Sequence, residues 1–278
     1  NIEFFSEDFI SRFAQLCGAL ATFLRPYYDE APVYSPINEI SFTSWGISVG
    51  LFAPSLSERD PTGIRSKRQL VRATLAACDA IWQADPRARF LHCDPIIQLV
   101  SPDDSPESQQ NAAGWHNAQF QAWDMLAGRL EPELGGAPRY LDLIGANYYH
   151  DNQWESETNR RLCWHLGDSR RKRLHSLLAE LYQRYERPLL LAETSHVGSG
   201  RGAWITEIAR EVAQAQIAGV EMMGICLYPV IDRPDWENHA VWHRSGLWNI
   251  DPEGYDPFER QLDPVYAQAL NRARQMLD

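Results

Sequence analysis

The sequence predicts an α/β fold in which amphipathic helices alternate with five parallel strands. Two observations support this prediction. Apolar residues recur at helical spacing in several segments, and short apolar runs lie between those segments. Strands separated by helices pair in parallel through right-handed crossovers. No repeat or low-complexity tract divides the 278 residues, so we expect a single domain over residues 1–278.

The predicted elements follow the chain in order. Ser6 caps the first helix, Glu7 and Asp8 lie in its first turn, and Pro26 ends it. The segment 41–60 is predicted to be a long aromatic loop, and such loops often build binding sites. The helices are predicted at residues 6–25, 66–82, 115–130, 170–185, 203–218 and 264–277. The strands are predicted at residues 31–39, 90–94, 141–149, 187–194 and 222–230.

Two of the predicted strands end on a glutamate. The run from Val33 reaches Glu39, and the run from Leu189 reaches Glu193. Parallel α/β folds bind ligands at the carboxyl ends of their strands. Two carboxylates there suit glycoside hydrolysis, because one protonates the leaving oxygen while the other attacks the anomeric carbon. Paired structural carboxylates are the alternative interpretation.

Composition excludes several classes of partner. The formal net charge of -11 disfavours nucleic acid and anionic membranes. No apolar run approaches a membrane span and no signal-peptide layout is present, so we expect a cytoplasmic location. The five cysteines lack a Cys-x-x-Cys spacing and are expected to be buried free thiols. His196, His239 and His243 have no metal-ligand spacing, and we expect neither a metal nor a cofactor.

Four of the predicted strands end in sequences that together match one enzyme family. The pair Asn38-Glu39 matches the end of the family's fourth strand, and residues 142–149 are similar to its sixth. Residues 192–194 resemble its seventh-strand nucleophile motif, and residues 224–236 keep the register of its eighth. The chain thus resembles the retaining β-glycosidases built on (β/α)8 barrels, most closely their β-glucosidase and β-galactosidase branch.

This resemblance implies a function and a role for several side chains. The function is retaining hydrolysis of β-glycosidic bonds in a small glycoside or oligosaccharide. Glu39 would be the general acid/base and Glu193 the nucleophile. Tyr149 would hydrogen-bond the nucleophile, and Asn38 would hold the sugar 2-hydroxyl.

The eighth strand is where the sequence departs from the family. Asp235 and Trp236 would meet the outer hydroxyls of the glycone, but the family has Glu where Asp235 stands. Tyr228 replaces a Trp in the floor beneath the sugar. The sugar that the site prefers is therefore left open between glucose, galactose, fucose and arabinose.

Three further residues are candidates because of their position. Asn147 lies near the end of its strand, beside Tyr149. Trp45 follows the Glu39 strand and could stack on a sugar ring, although single aromatic side chains more often pack in a core. His92 ends a strand and could touch substrate or serve as a hydrogen-bonded core residue.

The matches cover only strands four to eight of the family's barrel. Just 38 residues precede Glu39, enough for one helix and one strand. We therefore expect a TIM-barrel-like parallel (β/α) fold that is an incomplete barrel of about five strands. The strands 31–39 and 222–230 would then be open edges, which invite pairing. We expect a homo-oligomer that covers these edges, or helices and loops folded over them.

Two other functions use the same residues. A barrel that has lost part of its sugar site could be a non-catalytic sugar-binding or scaffold protein. Transglycosylation or sugar isomerisation could use the same two carboxylates. The presence of both Glu39 and Glu193 favours an enzyme.

Overall fold

The computed structural model describes residues 2–236, 238–251, 253–254, 256 and 259–277. The α-helices are α1 Glu7–Leu24, α2 Ile40–Ser48, α3 Pro54–Ser57, α4 Ile64–Ala84, α5 Pro106–Ala118, α6 Gln121–Leu126, α7 Leu174–Tyr185, α8 Arg201–Ile217 and α9 Pro264–Gln275. The strands are β1 Val33–Tyr34, β2 Arg89–Pro95, β3 Gln98–Val100, β4 Leu143–Asn147, β5 Gln153–Glu155, β6 Leu189–Glu193, β7 Met222–Ile225, β8 Arg233–Pro234, β9 Trp242–His243, β10 Trp248–Ile250 and β11 Arg260–Leu262.

Five of these strands form one parallel sheet, as the sequence predicts. Its order is β1-β2-β4-β6-β7, and β1 pairs in parallel with β2 just as β6 pairs with β7. Helices separate the strands along the chain. Because β1 and β7 stand at the two ends of the strand order, the barrel is not closed. The other strands form the two-stranded pairs β3-β5, β8-β9 and β10-β11.

The chain divides into two compact units. The first comprises Asn1–Pro95 and Ala113–Gly145, and the second comprises Ile96–Ala112 and Ala146–Asp278. The prediction of a single domain stays a prediction.

The core of the first unit lies between helix α4 and strand β2. Phe90 is fully buried, and Trp82 meets it edge-on with ring centroids 4.9 Å apart. Helix α1 packs against α4, but one side of α1 faces solvent. We call this side, together with Tyr27 just beyond the end of α1, the α1 stripe: Leu16, Leu20, Phe23 and Tyr27, between 49% and 72% exposed. Leu16, Leu20 and Phe23 are three or four residues apart and therefore share one face of α1.

The second unit packs helices α7 and α8 together and contains a buried arginine. Arg201 is 6% exposed and begins α8. Its guanidinium donates to Oδ2 of Asp263 at 2.6 Å, to Oδ1 of Asn249 at 3.0 Å and to the carbonyl of Gly246. These bonds satisfy a charge that would be costly to bury alone.

The first predicted strand and the loop after it are the main corrections. Only Val33–Tyr34 of the predicted 31–39 is a strand, and the predicted loop at 41–60 contains helices α2 and α3. Helix α2 has a close neighbour at Gly46, where a Cβ atom would lie 2.4 Å from the ring of Phe52. Glycine is therefore required there, although it is a poor helix former.

The limits of other elements also differ from the predicted ones. The helix predicted at 115–130 is the pair α5 and α6, and the strand predicted at 222–230 ends at Ile225. Of the cysteines, Cys78 is a buried free thiol as predicted, whereas Cys226 is exposed.

Candidate active site

In the second unit, Glu193 is the last residue of β6 and has a tyrosine partner. The hydroxyl of Tyr149 donates to Oε2 of Glu193 at 2.7 Å. The amide of Tyr148 donates to the Glu193 carbonyl at 2.9 Å, which fixes the backbone at the same point. Strand β4 leads directly into both tyrosines, so two strand ends deliver the pair. A hydroxyl donor at this place orients the carboxylate.

Two buried aromatic residues, Trp204 and Tyr148, pack together next to the end of β6. The indole nitrogen of Trp204 donates to Oγ1 of Thr194 at 2.9 Å, and the rings of Trp204 and Tyr148 stack with centroids 5.8 Å apart. The Tyr148 hydroxyl accepts from Gln153 at 2.7 Å and from Arg171 at 3.0 Å. Tyr148 is 3% exposed and is a core residue.

Asn147 and Tyr228 lie near this pair along their own strands. Asn147 ends β4 and is fully buried. Tyr228 follows β7, is 37% exposed, and donates its amide to the Thr194 carbonyl at 3.3 Å. Asn147 thus lies two residues before Tyr149, and Tyr228 is hydrogen-bonded to the residue after Glu193. Contact of either residue with substrate stays a prediction.

The predicted glycone contacts lie beside the β8-β9 pair. Asp235 follows β8, and its Oδ2 lies 2.8 Å from Nε2 of His243 in β9. Trp236 is 68% exposed, and the guanidinium of Arg233 lies 5.6 Å from the centre of its ring. Sequence reasoning considered His243 only as a metal ligand and missed this partnership. The antiparallel pairing of Arg233 with His243 could not be read from the motif.

In the first unit, Glu39 stands immediately before α2. Its backbone is left-handed, with φ of 52° and ψ of 59°. Its amide donates to the Cys93 carbonyl at 2.9 Å, and its carbonyl accepts from Thr43 at 2.8 Å. Asn38 is exposed beside it, and Trp45 on α2 is 44% exposed. A left-handed conformation is unfavourable for a residue with a Cβ atom, so the surroundings must hold it in place.

A buried carboxylate beneath α2 provides part of that hold. Asp94 is 1% exposed, and its two oxygens accept from the Ser41 amide at 3.0 and 3.2 Å. Burial raises the pKa of Asp94 to about 7, against the lowering effects of Ser41 and Lys67. Burial also lowers the pKa of Lys67, whose Nζ donates to Oε1 of Gln121 at 2.7 Å.

The structure places His92 in the core role that was weighed against substrate binding. It is 2% exposed, its Nε2 lies 2.8 Å from the Tyr140 carbonyl, and its ring stacks on Phe90. Burial lowers the pKa of His92 to about 4, so the ring is neutral near pH 7. At 2% exposure, the ring has almost no surface open to solvent.

Among the residues that the structure describes, no cluster of three or more histidine, cysteine or acidic side chains forms a metal site. Within the same residues, no helix has both the length and the apolar character that a membrane crossing requires.

The parallel sheet and its helices form a TIM-barrel-like (β/α) fold that is not closed. No protein-family model matches the chain, and neither does any curated protein. Solved structures do match. A β-glucosidase from Thermotoga maritima in complex with glucoimidazole is 13% identical with a TM-score of 0.76, over 98% of this chain and 70% of that one.

Two further solved structures agree with this fold. A β-glycosidase from Pyrococcus horikoshii is 18% identical with a TM-score of 0.74, over 98% of this chain and 67% of that one. A mutant of a hyperthermophilic β-glucosidase is 16% identical with a TM-score of 0.71, over 96% of this chain and 61% of that one. The chain therefore spans between 61% and 70% of the length of these three structures.

Proposed function

We propose that the chain supplies the catalytic carboxylates of a retaining glycoside hydrolase that cleaves β-glycosidic bonds. The observation that carries the proposal is the 2.7 Å hydrogen bond from Tyr149 to Glu193 at the end of β6. A carboxylate oriented by a hydroxyl, next to buried strands, suits a nucleophile better than a surface charge. The solved structures with this fold include β-glucosidases.

In the proposed reaction, Glu193 attacks the anomeric carbon while Glu39 gives a proton to the leaving oxygen. The glycosidic bond breaks, and an ester joins the sugar to Glu193. Glu39 then takes a proton from water, the water oxygen attacks the same carbon, and Glu193 leaves as a carboxylate. This double displacement requires the two carboxyl groups about 5 to 5.5 Å apart in the working enzyme.

Exposed aromatic and polar side chains supply the proposed sugar contacts. Asp235 and Trp236 would hold the outer hydroxyls of the glycone, and Asn38 its 2-hydroxyl. Trp45 would offer an apolar surface to the aglycone, because an indole ring packs well against flat apolar faces. We propose a β-glucoside as the first substrate to test, since one of the matching structures is a β-glucosidase in complex with glucoimidazole.

The test is hydrolysis of nitrophenyl β-glycosides by the wild type, Glu193→Ala and Glu39→Gln. We expect turnover by the wild type and a loss of at least about 100-fold in each variant, because each removes a reacting group. Glu180→Gln is a matched control, since Glu180 on α7 pairs with Lys172 and lies outside the proposed site. Absence of wild-type turnover on every β-glycoside would overturn the proposal.

Mass spectrometry gives a second test of the nucleophile. A 2-deoxy-2-fluoro glycoside with a good leaving group slows the second step more than the first, so the ester should accumulate on Glu193. Attachment to another residue would contradict the assignment. Products formed with an added alcohol would distinguish transglycosylation from hydrolysis.

A non-catalytic sugar-binding protein is the second candidate, and the open strand order favours it. Because β1 and β7 end the sheet, part of a complete sugar site can be missing. Calorimetric binding of a monosaccharide without turnover of any glycoside would support this candidate instead.

A further inference from the structure

We propose that Asp94 is a positioning residue that holds Glu39 in its working orientation through the first turn of α2. This inference rests on the proposed role of Glu39 as acid/base. Asp94 does not donate or accept the substrate's proton. It acts through the helix that begins immediately after Glu39.

Strand β2 accepts hydrogen bonds from the residues on both sides of Ile40. The Cys93 carbonyl accepts from the Glu39 amide at 2.9 Å, and the carboxylate of Asp94, the next residue, accepts from the Ser41 amide at 3.0 and 3.2 Å. Between these anchors Ile40 is 2% exposed. Three consecutive residues are thereby fixed, so the Glu39 backbone has little freedom to rotate.

The backbone conformation of Glu39 is energetically unfavourable for a non-glycine residue. Its φ of 52° is in the left-handed region, which a side chain with a Cβ atom disfavours. Such conformations persist where neighbouring groups determine them, and they cluster at functional sites. The Asp94 carboxylate also faces the positive end of α2, which favours its ionised form.

A buried cation, Lys67, acts electrostatically on Asp94. Lys67 is 9% exposed on α4, and its attraction lowers the pKa of Asp94 against the larger raising effect of burial. Its Nζ is held by Oε1 of Gln121 at 2.7 Å. A carboxylate with this support can accept two hydrogen bonds at a helix terminus without contact with water.

A second buried aspartate, Asp60, caps a helix without contacting Glu39 and serves as a control for a purely structural cap. Asp60 is 3% exposed and accepts from the Ser66 amide at 2.6 Å and the Arg65 amide at 3.3 Å. It caps α4 in the same unit, just as Asp94 caps α2. Loss of either cap should lower stability, but only loss of Asp94 should disturb Glu39.

The experiment compares Asp94→Ala, Asp94→Asn and Asp60→Asn on two glycosides that share a sugar. A nitrophenyl leaving group needs the proton from Glu39, whereas a dinitrophenyl leaving group departs without it. For Asp94→Ala we expect kcat/KM to fall about 10- to 100-fold on the nitrophenyl substrate and by less than about 3-fold on the dinitrophenyl substrate. Asp94→Asn should lie between the wild type and Asp94→Ala, because its amide oxygen still accepts from Ser41. Asp60→Asn should leave both values unchanged.

Equal losses on both substrates, or no loss in either Asp94 variant, would overturn the proposal. A crystal structure of Asp94→Ala provides a readout that does not need activity, with Asp94→Leu, which also lacks an acceptor for the Ser41 amide, replacing it if the alanine variant does not fold. We expect the left-handed φ of Glu39 to be lost in the Asp94 variant and kept in Asp60→Asn. If the wild type hydrolyses no glycoside, the proposed function fails, while an unchanged φ in the Asp94 variant would overturn the positioning role itself.

Discussion

The Tyr149 hydroxyl lies 2.7 Å from Oε2 of Glu193 and donates a hydrogen bond to it. We expect Tyr149→Phe to lower kcat/KM for β-glycosides by about 10- to 100-fold, because a hydrogen bond to a charged group contributes about 1.5 to 3 kcal/mol. Steady-state kinetics of the purified variant would measure this change.

Tyr148→Phe is the matched control for that prediction. In the wild type, the Tyr148 hydroxyl accepts hydrogen bonds from Gln153 and Arg171. We expect a lower free energy of unfolding and an unchanged kcat/KM. Equal kinetic losses in the two variants would contradict a specific role for Tyr149.

The Asp235–His243 pair is expected to influence binding of the glycone. His243→Ala removes the group that lies 2.8 Å from Oδ2 of Asp235, so Asp235 loses a fixed orientation. We expect KM to rise about 3- to 10-fold with little change in kcat, since one hydrogen bond contributes about 1 kcal/mol. His239→Ala, an exposed histidine of the same segment, is the control. A fall in kcat alone would count against a binding role.

Trp45 is expected to bind the aglycone. We predict that Trp45→Ala raises KM for aryl β-glycosides about 10-fold but leaves KM for methyl β-glycosides within about 2-fold, because only the aryl group can pack on the indole ring. Trp115→Ala provides the control, since Trp115 in the same unit is 48% exposed. Equal effects on both substrates would exclude an aglycone contact.

Stability should depend on pH through Asp94. Burial raises the pKa of Asp94 to about 7, above its value of about 3.9 in an unfolded chain. Between these values the native protein binds more protons than the unfolded chain, so a rise in pH lowers the free energy of unfolding. In urea unfolding at about pH 4.5 and about pH 7.5, we expect a larger decrease for the wild type than for Asp94→Asn.

Glu155 gives the opposite sign and serves as a check on that measurement. Hydrogen bonds from Arg160, Thr158 and Arg170 lower the pKa of Glu155 to about 2. Its contribution is present above the unfolded value of about 4.3 and is lost as the pH falls toward 2. Glu155→Gln should therefore lower the free energy of unfolding by a constant amount between about pH 4.5 and 7.5, and by progressively less as the pH falls toward 2. A changed pH dependence in the higher interval would mean that the two effects are not separate.

We also expect copies of the chain to associate. The α1 stripe exposes Leu16, Leu20, Phe23 and Tyr27, and Val33 of the edge strand β1 is 50% exposed. Apolar surface and an open strand edge both favour pairing. Sedimentation of the wild type should show an oligomer, and Phe23→Lys should shift it toward monomer. Leu166→Lys, at an exposed site in the second unit, should not.

The sequence predicted the parallel sheet well because helical and strand periodicities differ. It also predicted the neighbourhood of Glu193, where Tyr149 follows a strand whose apolar run is unambiguous. Helix α2 could not be predicted in the same way. Its residues include β-branched and aromatic side chains and Gly46, all poor helix formers, and its cap comes from Asp94, far away along the chain.

His92 shows why position on a strand was not enough to define the site. Strand ends place side chains on two faces, and only the tertiary structure shows that this ring meets Phe90 and the Tyr140 carbonyl. His243 was missed because its contact depends on how two strands pair. Its partner Asp235 lies across an antiparallel turn whose register has no clear signal in the sequence.

Arg201 makes helix α9 a structural part of the second unit. One guanidinium joins the start of α8 to Asp263, the residue that caps α9. A protease that removed α9 together with Asp263 would leave a cation enclosed without its counterion. Cleavage that separates α9 from the second unit should therefore behave as damage to the interior of that unit.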